Sequence, residues 1–230
     1  MRFVTGLHVV RHRSLPGLAL ALVIALPAGA EVLPDLQRGD VIFQNSRSAQ
    51  SLAILLATES PFTHVGIVDF DAGGSPVVLE AVRTTRETPL ADWVDQGEAG
   101  DVAVYRMAGL TEDQALAVTK AARSHFGKGY DPYFYRSEET LYCSELVHVA
   151  FRDGIGVALG QAQVLGELNL DSAAVRALIE DRWASHPACS DGQAADADSC
   201  LDLIRDEPLI TPQAVADDGR LTLVYSSFAP

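Results

Sequence analysis

Two short, mostly apolar runs flank a polar loop in the first half of the chain. Residues 64–70 read HVGIVDF, residues 76–82 read PVVLEAV, and the loop 71–75 lies between them. Runs rich in β-branched residues around such a loop predict a β-hairpin with a five-residue connection. With that loop length, Phe70 lies opposite Pro76.

Three further runs predict strands, over residues 39–44, 101–106 and 221–225. The acidic stretch 185–199 predicts a loop. No repeat and no clear linker divides the chain. Together with the helices below, this pattern predicts an α+β fold with a small antiparallel sheet packed against helices.

Two helices are predicted in the first 130 residues. Ser48 can cap a helix over residues 49–58, in which the leucines at positions 52, 55 and 56 share one face. The run TEDQ from Thr111 is a capping box that opens a second helix. Gly127 and Gly129 are expected to close it.

Two more helices are predicted further along the chain. One follows Cys143 and ends at Gly154. Its apolar face is formed by four residues, namely Leu146, Val147, Ala150 and Phe151. The other covers residues 172–183.

The first thirty residues have the pattern of a secretory signal peptide. They carry three arginines and no acidic residue, followed by an apolar run over 18–26 and then Ala-Gly-Ala at 28–30. The apolar run is shorter than the roughly 20 residues that span a bilayer. We therefore expect residues 1–30 to be a signal peptide and residues 31–230 to be one exported domain, periplasmic or secreted. An uncleaved membrane anchor is the alternative.

Loss of the three arginines at the N-terminus would change the formal net charge from −14 to −17. Affinity for nucleic acid and anionic lipid comes from lysine and arginine, so we expect neither partner. The acidity also fits the solubility of an exported protein. We expect no stable membrane insertion once the signal peptide is removed.

The three cysteines differ in their surroundings. Cys189 and Cys200 lie close together in a polar, aspartate-rich stretch, and Cys143 stands alone upstream. In an oxidising compartment the close pair predicts a disulfide. Cys143 is then a candidate reactive thiol at the start of a helix, where free N–H groups favour a thiolate and can bind an oxyanion. A buried structural cysteine is the alternative.

A thiol nucleophile needs a base, and four histidines follow residue 30: His64, His125, His148 and His186. His64 is the best placed, because it opens a strand directly after a turn. In the predicted hairpin Glu80 is its diagonal neighbour, about 7–8 Å away by backbone. A slip of one residue would place Glu80 on the other face, and Glu80 could instead point to solvent.

The chain resembles the YiiX/YaeF-like permuted papain-like amidases, relatives of the NlpC-type cell-wall peptidases. The matching stretches are residues 39–44 (GDVIFQ), 58–67 (TESPFTHVGI), 78–81 (VLEA), 129–131 (GYD), 141–146 (LYCSEL), 211–212 (TP) and 223–225 (LVY). The resemblance implies a circularly permuted papain-like fold, with Cys143 as nucleophile, His64 as base and Glu80 as orienting acid. The loop with Cys189 and Cys200 lies outside the family's pattern.

The expected function is hydrolysis of an amide bond in a peptide or peptidoglycan-like substrate, without metal or cofactor. One alternative is lipid acyl hydrolysis or acyl transfer of the lecithin:retinol acyltransferase type, and another is a non-catalytic binding module. An acyl-transfer site also requires a second oxyanion donor beside the Cys143 N–H. Gln44 and Tyr142 are the candidates for this substrate-binding or oxyanion role. For each of them alone the ordinary interpretation is preferred, Gln44 as a loop residue and Tyr142 as a half-buried packing residue.

Overall fold

The computed structural model describes residues 33–135, 137 and 139–229. The predicted signal peptide lies outside these residues. The strands are β1 (Val41–Ser46), β2 (His64–Phe70), β3 (Pro76–Ala81), β4 (Thr85–Pro89), β5 (Gly97–Met107), β6 (Gly129–Tyr130), β7 (Thr140–Leu141), β8 (Gln163–Val164), β9 (Pro208–Leu209) and β10 (Leu221–Ser226). The helices are α1 (Ser51–Thr58), α2 (Leu90–Asp95), α3 (Glu112–Ser124), α4 (Cys143–Ile155), α5 (Ala173–Arg182), α6 (Ala197–Ile204) and α7 (Pro212–Ala216).

Six antiparallel strands form the central sheet, in the order β10-β5-β1-β2-β3-β4. Alternate residues of a strand face opposite sides. Val41 and Phe43 therefore join a core that includes α4, and Ile42 joins a second core around Trp93 of α2. The predicted α+β fold is confirmed, and both faces of the sheet are covered.

Several predicted elements are present, and their ends show what local sequence signals miss. The Thr111 capping box forms as expected. The helix predicted over 172–183 is α5, and Ser172 caps it instead of being its first residue. Helix α1 begins at Ser51 rather than at residue 49, and Gln50, not Ser48, is at its N-cap. Of the three leucines predicted to share one face, Leu52 is 58% exposed and the other two are half-buried. The strand predicted over 101–106 is the inner part of the longer β5.

The end of α4 was also predicted wrongly. The helix continues through Gly154 and stops before Gly156, which has a left-handed φ of 74°. Gly154 has a different purpose: a Cβ there would lie 2.7 Å from the Cα of Val118. Glycine at this position lets α3 and α4 pack closely.

A third cluster of buried residues lies in the C-terminal part of the chain. Cys189 and Cys200 are joined in a disulfide, as the sequence predicted. Leu201 and Ile204 of α6 pack with them, and Trp183 packs against this group. The stretch 185–199, which was predicted to be a loop, includes the first residues of α6 from Ala197 onward and is therefore partly helical. Among the described residues, no helix combines the length and the apolar character needed to cross a membrane.

Candidate active site

The β2–β3 hairpin brings a histidine and a carboxylate together. The two strands pair in the predicted register, with Phe70 opposite Pro76, and the ring Nε2 of His64 lies 2.7 Å from Glu80 Oε2. Gly66 lies on β2, two residues after His64. Any side chain at Gly66 would collide with Val78 and with the Leu79 carbonyl, so glycine is required for this approach. We exclude the one-residue slip.

Glu80 is fully buried and held by three partners. Thr88 Oγ1 donates a hydrogen bond of 2.5 Å to Oε1, and Arg86 Nη2 lies 3.4 Å from the same oxygen. Burial raises the pKa of the Glu80 carboxyl, but the bonds from His64 and Thr88 and the charge of Arg86 outweigh it and lower the pKa. Glu80 is therefore an anion that fixes the orientation of the His64 ring.

His64 is 6% exposed and stacks on Trp93, with 5.9 Å between ring centroids. Burial lowers the pKa of His64, but hydrogen bonds to Cys143 and Glu80 outweigh that effect and raise it to about 10. Since Nε2 contacts Glu80, the other ring nitrogen, Nδ1, remains for the thiol. His64 therefore holds a proton between two acidic groups.

Cys143 is the first residue of α4, as predicted, and is 2% exposed. Burial raises the pKa of its thiol, but the hydrogen bond and charge of His64, together with the N–H groups of Val65 and Ser144, outweigh burial and lower it. The preceding residue, Tyr142, does not cap the helix with its side chain. The positive end of the helix thus faces the sulfur, and the arrangement favours a thiolate–imidazolium pair.

Gln44 lies next to His64 in the sheet. Its Cα is paired with that of His64 across β1 and β2, so the two side chains share a face. The Gln44 side chain is fully buried, and neither of its amide atoms has a hydrogen-bond partner among the described residues. A buried amide without a partner is costly, which fits a group that binds substrate. Its role as an oxyanion donor stays a prediction.

Tyr142 has a structural contact instead. Its hydroxyl accepts a 3.0 Å hydrogen bond from the N–H of Ile210, and its ring packs edge-on against Phe134. This bond ties the segment before α7 to the start of α4. The packing interpretation therefore explains Tyr142, and its role as an oxyanion donor also stays a prediction.

Tyr130 is a further candidate, which lies in the stretch 129–131 that resembles the family but to which the sequence assigned no role. Strand β6 pairs in parallel with β7 and places Tyr130 opposite Leu141, two residues before Cys143. Burial raises the pKa of the Tyr130 hydroxyl, and the nearby charge of Cys143 raises it further, so the hydroxyl keeps its proton. Gln50 Nε2 donates a 2.5 Å hydrogen bond to the phenol oxygen. The phenolic proton is therefore left to point elsewhere, and Tyr130 can act as a donor near Cys143.

A narrow apolar pocket opens beside Cys143. It has a volume of about 130 Å³. Its walls come mainly from α1, α5, α6 and the segment before α7. The larger aliphatic and aromatic residues of the lining are Ile54, Tyr133, Phe134, Leu165, Leu168, Leu170, Val175, Leu178, Ile179, Trp183, Ile204, Leu209 and Ile210. The disulfide cluster thus forms part of a pocket at the nucleophile, a role that the sequence did not suggest.

A second cavity, a cleft of about 930 Å³, includes His64 and Gln44 in its walls. Its other walls come largely from the turn after β1 and the turn between β3 and β4. Tyr130 also lines this cleft, and Pro132 and Arg182 line both cavities. The apolar pocket and the polar cleft therefore adjoin in the region of the Cys143–His64 pair.

Among the described residues, none of the other three histidines has a hydrogen bond or ion pair with Cys143, although His186 lines the same apolar pocket. His148 Nδ1 contacts the carbonyl oxygen of Leu159 at 2.8 Å, and His125 Nε2 lies 3.8 Å from Asp153. His186 lies beside the disulfide, and its ring and the two sulfurs lie within 4.8 Å of one another. Those sulfurs are bonded to each other, so they offer no thiolate to a metal in this state.

The geometry agrees with comparisons to known proteins. Residues 35–225 match the profile of a family described as permuted papain-like amidase enzymes of the YaeF/YiiX type, peptidase family C92. The uncharacterised protein YiiX of Escherichia coli K12 is 35% identical over 208 residues, which are 90% of this chain and 93% of YiiX.

A crystal structure of YiiX from E. coli O157:H7, described as a metalloprotein, has a similar fold. It aligns with a TM-score of 0.73 at 34% identity, and the alignment covers 84% of this chain and 98% of that one.

Proposed function

Since this chain belongs to the YaeF/YiiX family of permuted papain-like amidases, we propose that it is a cysteine hydrolase that cleaves an amide bond through a thioester intermediate. Cys143 is the nucleophile, His64 the acid and base, and Glu80 the group that orients His64. The observation that carries the proposal is the hydrogen-bonded line from Cys143 through His64 to Glu80, with the pKa of Cys143 lowered and that of His64 raised.

The reaction follows from these states. The Cys143 thiolate attacks the carbonyl carbon, and the N–H at the start of α4 together with Tyr130 or Gln44 stabilises the oxyanion. Imidazolium His64 then gives its proton to the leaving amine as the C–N bond breaks. Neutral His64 next takes a proton from water, whose oxygen attacks the thioester. The carboxylic acid product leaves, and the thiolate–imidazolium pair is restored.

The substrate class has two candidates. A peptide or peptidoglycan-like amide fits the family's described activity. An acyl substrate, as in lipid acyl hydrolysis or acyl transfer, is favoured by the apolar pocket that includes Cys143 in its lining. Burial of apolar surface contributes about 0.8 kcal/mol for each methylene group, so a lining of this kind selects apolar acyl groups. A peptide would have to place an apolar side chain there.

Export is part of the proposal. It rests on the sequence of residues 1–30 and on the pairing of Cys189 with Cys200, since disulfides persist in oxidising compartments. N-terminal sequencing of protein recovered from a periplasmic fraction and from culture medium tests both the cut near residue 30 and the compartment. Protein that keeps its first thirty residues and stays with membranes would support the uncleaved anchor instead.

The main experiment is active-site trapping. The purified protein is treated with an electrophilic amide analogue, and the labelled residue is identified by mass spectrometry. Labelling confined to Cys143 is expected, and it should be lost in His64→Ala. A panel of amides with peptide-like and alkyl acyl groups then separates the two substrate classes. A folded protein that is not labelled at Cys143 by any probe would favour the non-catalytic binding module.

A further inference from the structure

The cleft on the His64 side differs in charge from the rest of this acidic protein. The whole chain has a formal charge of −14, with 31 acidic residues against 17 basic ones. The lining of the cleft nevertheless includes four arginines and one acidic residue, Asp95; the arginines are Arg47, Arg83, Arg86 and Arg182. A cleft with such an excess of one sign concentrates the electric field and attracts ligands of the opposite charge.

Three of these arginines already have partners. Arg86 Nη2 lies 3.4 Å from Glu80, and Arg182 donates hydrogen bonds to Gln50 and to the carbonyl of Pro132. Arg47 donates to the carbonyl oxygen of Asp95, and its Nε lies 3.9 Å from Glu98 Oε1. Arg86 and Arg47 thus lie beside the carboxylates of Glu80 and Glu98, which offset their charge. Among the described residues neither Arg182 nor Arg83 has a salt bridge, so these two arginines supply the uncompensated positive charge of the cleft wall.

Arg83 is different. It lies in the short turn between β3 and β4, and it is exposed. Among the described residues, no hydrogen bond or ion pair to its guanidinium is found. Its backbone carbonyl accepts the N–H of Tyr130 at 3.0 Å, which fixes the turn beside the candidate oxyanion donor. Arg83 thus offers a planar donor on the wall of the cleft that His64 also lines, and such a donor suits a carboxylate or phosphate.

The proposed reaction decides which part of the substrate lies in this cleft. His64 protonates the leaving amine, so the amine lies on the His64 side, and the acyl group lies on the side of Cys143. The structure has the arginine-lined cleft on the first side and the apolar pocket on the second. We therefore propose that the released amine carries an anionic group and that the substrates are apolar acyl amides of anionic amines, such as N-acyl amino acids. This inference rests on the proposed function.

The test uses four lauroyl amides that differ in the amine alone: glycine, phosphoethanolamine, glycinamide and ethylenediamine. The first two are anionic, the third is neutral and the fourth is cationic. We expect kcat/KM to be at least about tenfold higher for an anionic amide than for the neutral one, the size of one hydrogen bond to a charged group, and lowest for the cationic amide. The ratio of the glycine to the phosphoethanolamine compound distinguishes a carboxylate from a phosphate ligand.

Arg83→Ala is the diagnostic variant, because Arg83 is exposed in a turn and its side chain is not needed for packing. It should lower the ratio of anionic to neutral kcat/KM by about tenfold, mainly through KM, and Arg83→Lys should restore part of it. Arg176→Ala is the matched control, since Arg176 is partly exposed on α5 and pairs with Asp171 and Asp198 outside the cleft. It should leave the ratio unchanged.

Binding keeps the inference testable without turnover. Titration calorimetry of Cys143→Ala with lauroylglycine and lauroylglycinamide should show the same preference for the anion, weakened by salt and by Arg83→Ala. Equal affinities, or an equal loss for both compounds in Arg83→Ala, would overturn the anionic amine but leave the hydrolase intact. Absence of Cys143 labelling, by contrast, would overturn the hydrolase and leave the anion preference to be decided by the calorimetry.

Discussion

The two cavities beside the Cys143–His64 pair are built in opposite ways. The pocket on the cysteine side is narrow and apolar, and it is formed by helices and by the disulfide cluster near the C-terminus. The cleft on the histidine side is wider, polar and arginine-lined, and it is formed by turns at the edge of the sheet. The difference suggests that one substrate is recognised by two separate physical effects.

The two effects differ in strength and in range. Apolar burial adds affinity with each methylene group and is not weakened by the screening of charges in salt. Arginines in an open cleft act through solvent, where salt screens charges beyond about 8–10 Å. We therefore expect the pocket to provide most of the binding energy and the cleft to provide selectivity and a faster encounter.

The largest expected effect comes from replacing a member of the Cys143–His64 pair, beside which the two cavities lie. Cys143→Ala and His64→Ala should each lower kcat by about 10⁴-fold or more, whatever the acyl or amine group, because they belong to one catalytic unit. The measurement is kcat with a lauroyl amide and with a peptide amide, with thermal unfolding as the check on folding. Near-normal turnover in either variant would mean that the replaced residue is not needed for catalysis, and the two cavities would then share no reaction centre at this pair.

Tyr130→Phe tests whether the Tyr130 hydroxyl stabilises the oxyanion that forms on the substrate carbonyl. Loss of one oxyanion donor should lower kcat by about 10²–10³-fold with little change in KM. Gln44→Ala and Tyr142→Phe are the matched comparisons, and we expect Tyr142→Phe to keep nearly normal kcat because its hydroxyl bonds Ile210. If Tyr142→Phe loses activity and Tyr130→Phe does not, the assignment of the two tyrosines is reversed.

The pH dependence of activity tests the thiolate–imidazolium pair of Cys143 and His64. Because the pKa of Cys143 is lowered, the alkylation rate with iodoacetamide and kcat/KM should both increase with pH, and the midpoint of each increase should lie below the usual thiol pKa of about 8.5. Activity should fall again as His64 loses its proton near its raised pKa of about 10. His64→Ala should move the alkylation midpoint upward by at least about one unit, since the partner that lowers the Cys143 pKa is gone. An unchanged midpoint would contradict the pair.

The depth of the pocket can be changed without altering the cleft. Ala57 lines the pocket, and Ala57→Phe should exclude the end of a long acyl chain. We expect kcat/KM to fall by about fourfold for each methylene group excluded, with short acyl groups unaffected. Ala184→Phe, at an exposed position outside the pocket, is the control. The same loss for acetyl and lauroyl amides would mean that the acyl group lies elsewhere.

The disulfide gives the smallest expected effect on turnover. Replacing both cysteines in Cys189→Ser/Cys200→Ser should lower the free energy of unfolding by roughly 2–4 kcal/mol, because the crosslink restricts the unfolded chain. Because Cys200 lines the pocket, KM for long acyl chains should rise, whereas the preference for anionic amines should be kept. A loss of the anion preference in this variant would show that the two cavities are not independent.

Much of the site could be predicted because its determinants are local. The β2–β3 hairpin needs only an apolar pattern and a five-residue loop, and this alone brings His64 and Glu80 to one face. The position of Cys143 at a helix start and the pairing of two cysteines that lie close together in the sequence are local signals too. Their catalytic roles remain proposals, but their placement followed from sequence.

Other features were missed because distant segments decide them. The exposed strand β4 and the short helix α2 have weak local patterns and form by packing on the sheet edge and around Trp93. The end of α4 depends on how closely α3 approaches Gly154. Local propensity is a weak guide wherever tertiary contacts of this kind compete with it.

The recognition surfaces belong to the tertiary structure alone. Tyr130 is placed near Cys143 by the parallel pairing of β6 with β7, which has no local sequence signal. The apolar pocket is lined by α1 and by segments more than 100 residues further along the chain. Local sequence determined the hairpin, the helix start and the disulfide, because short loops and caps set them. Only long-range packing decided what surrounds Cys143, because a cavity has no sequence pattern and exists where separate elements leave space between them.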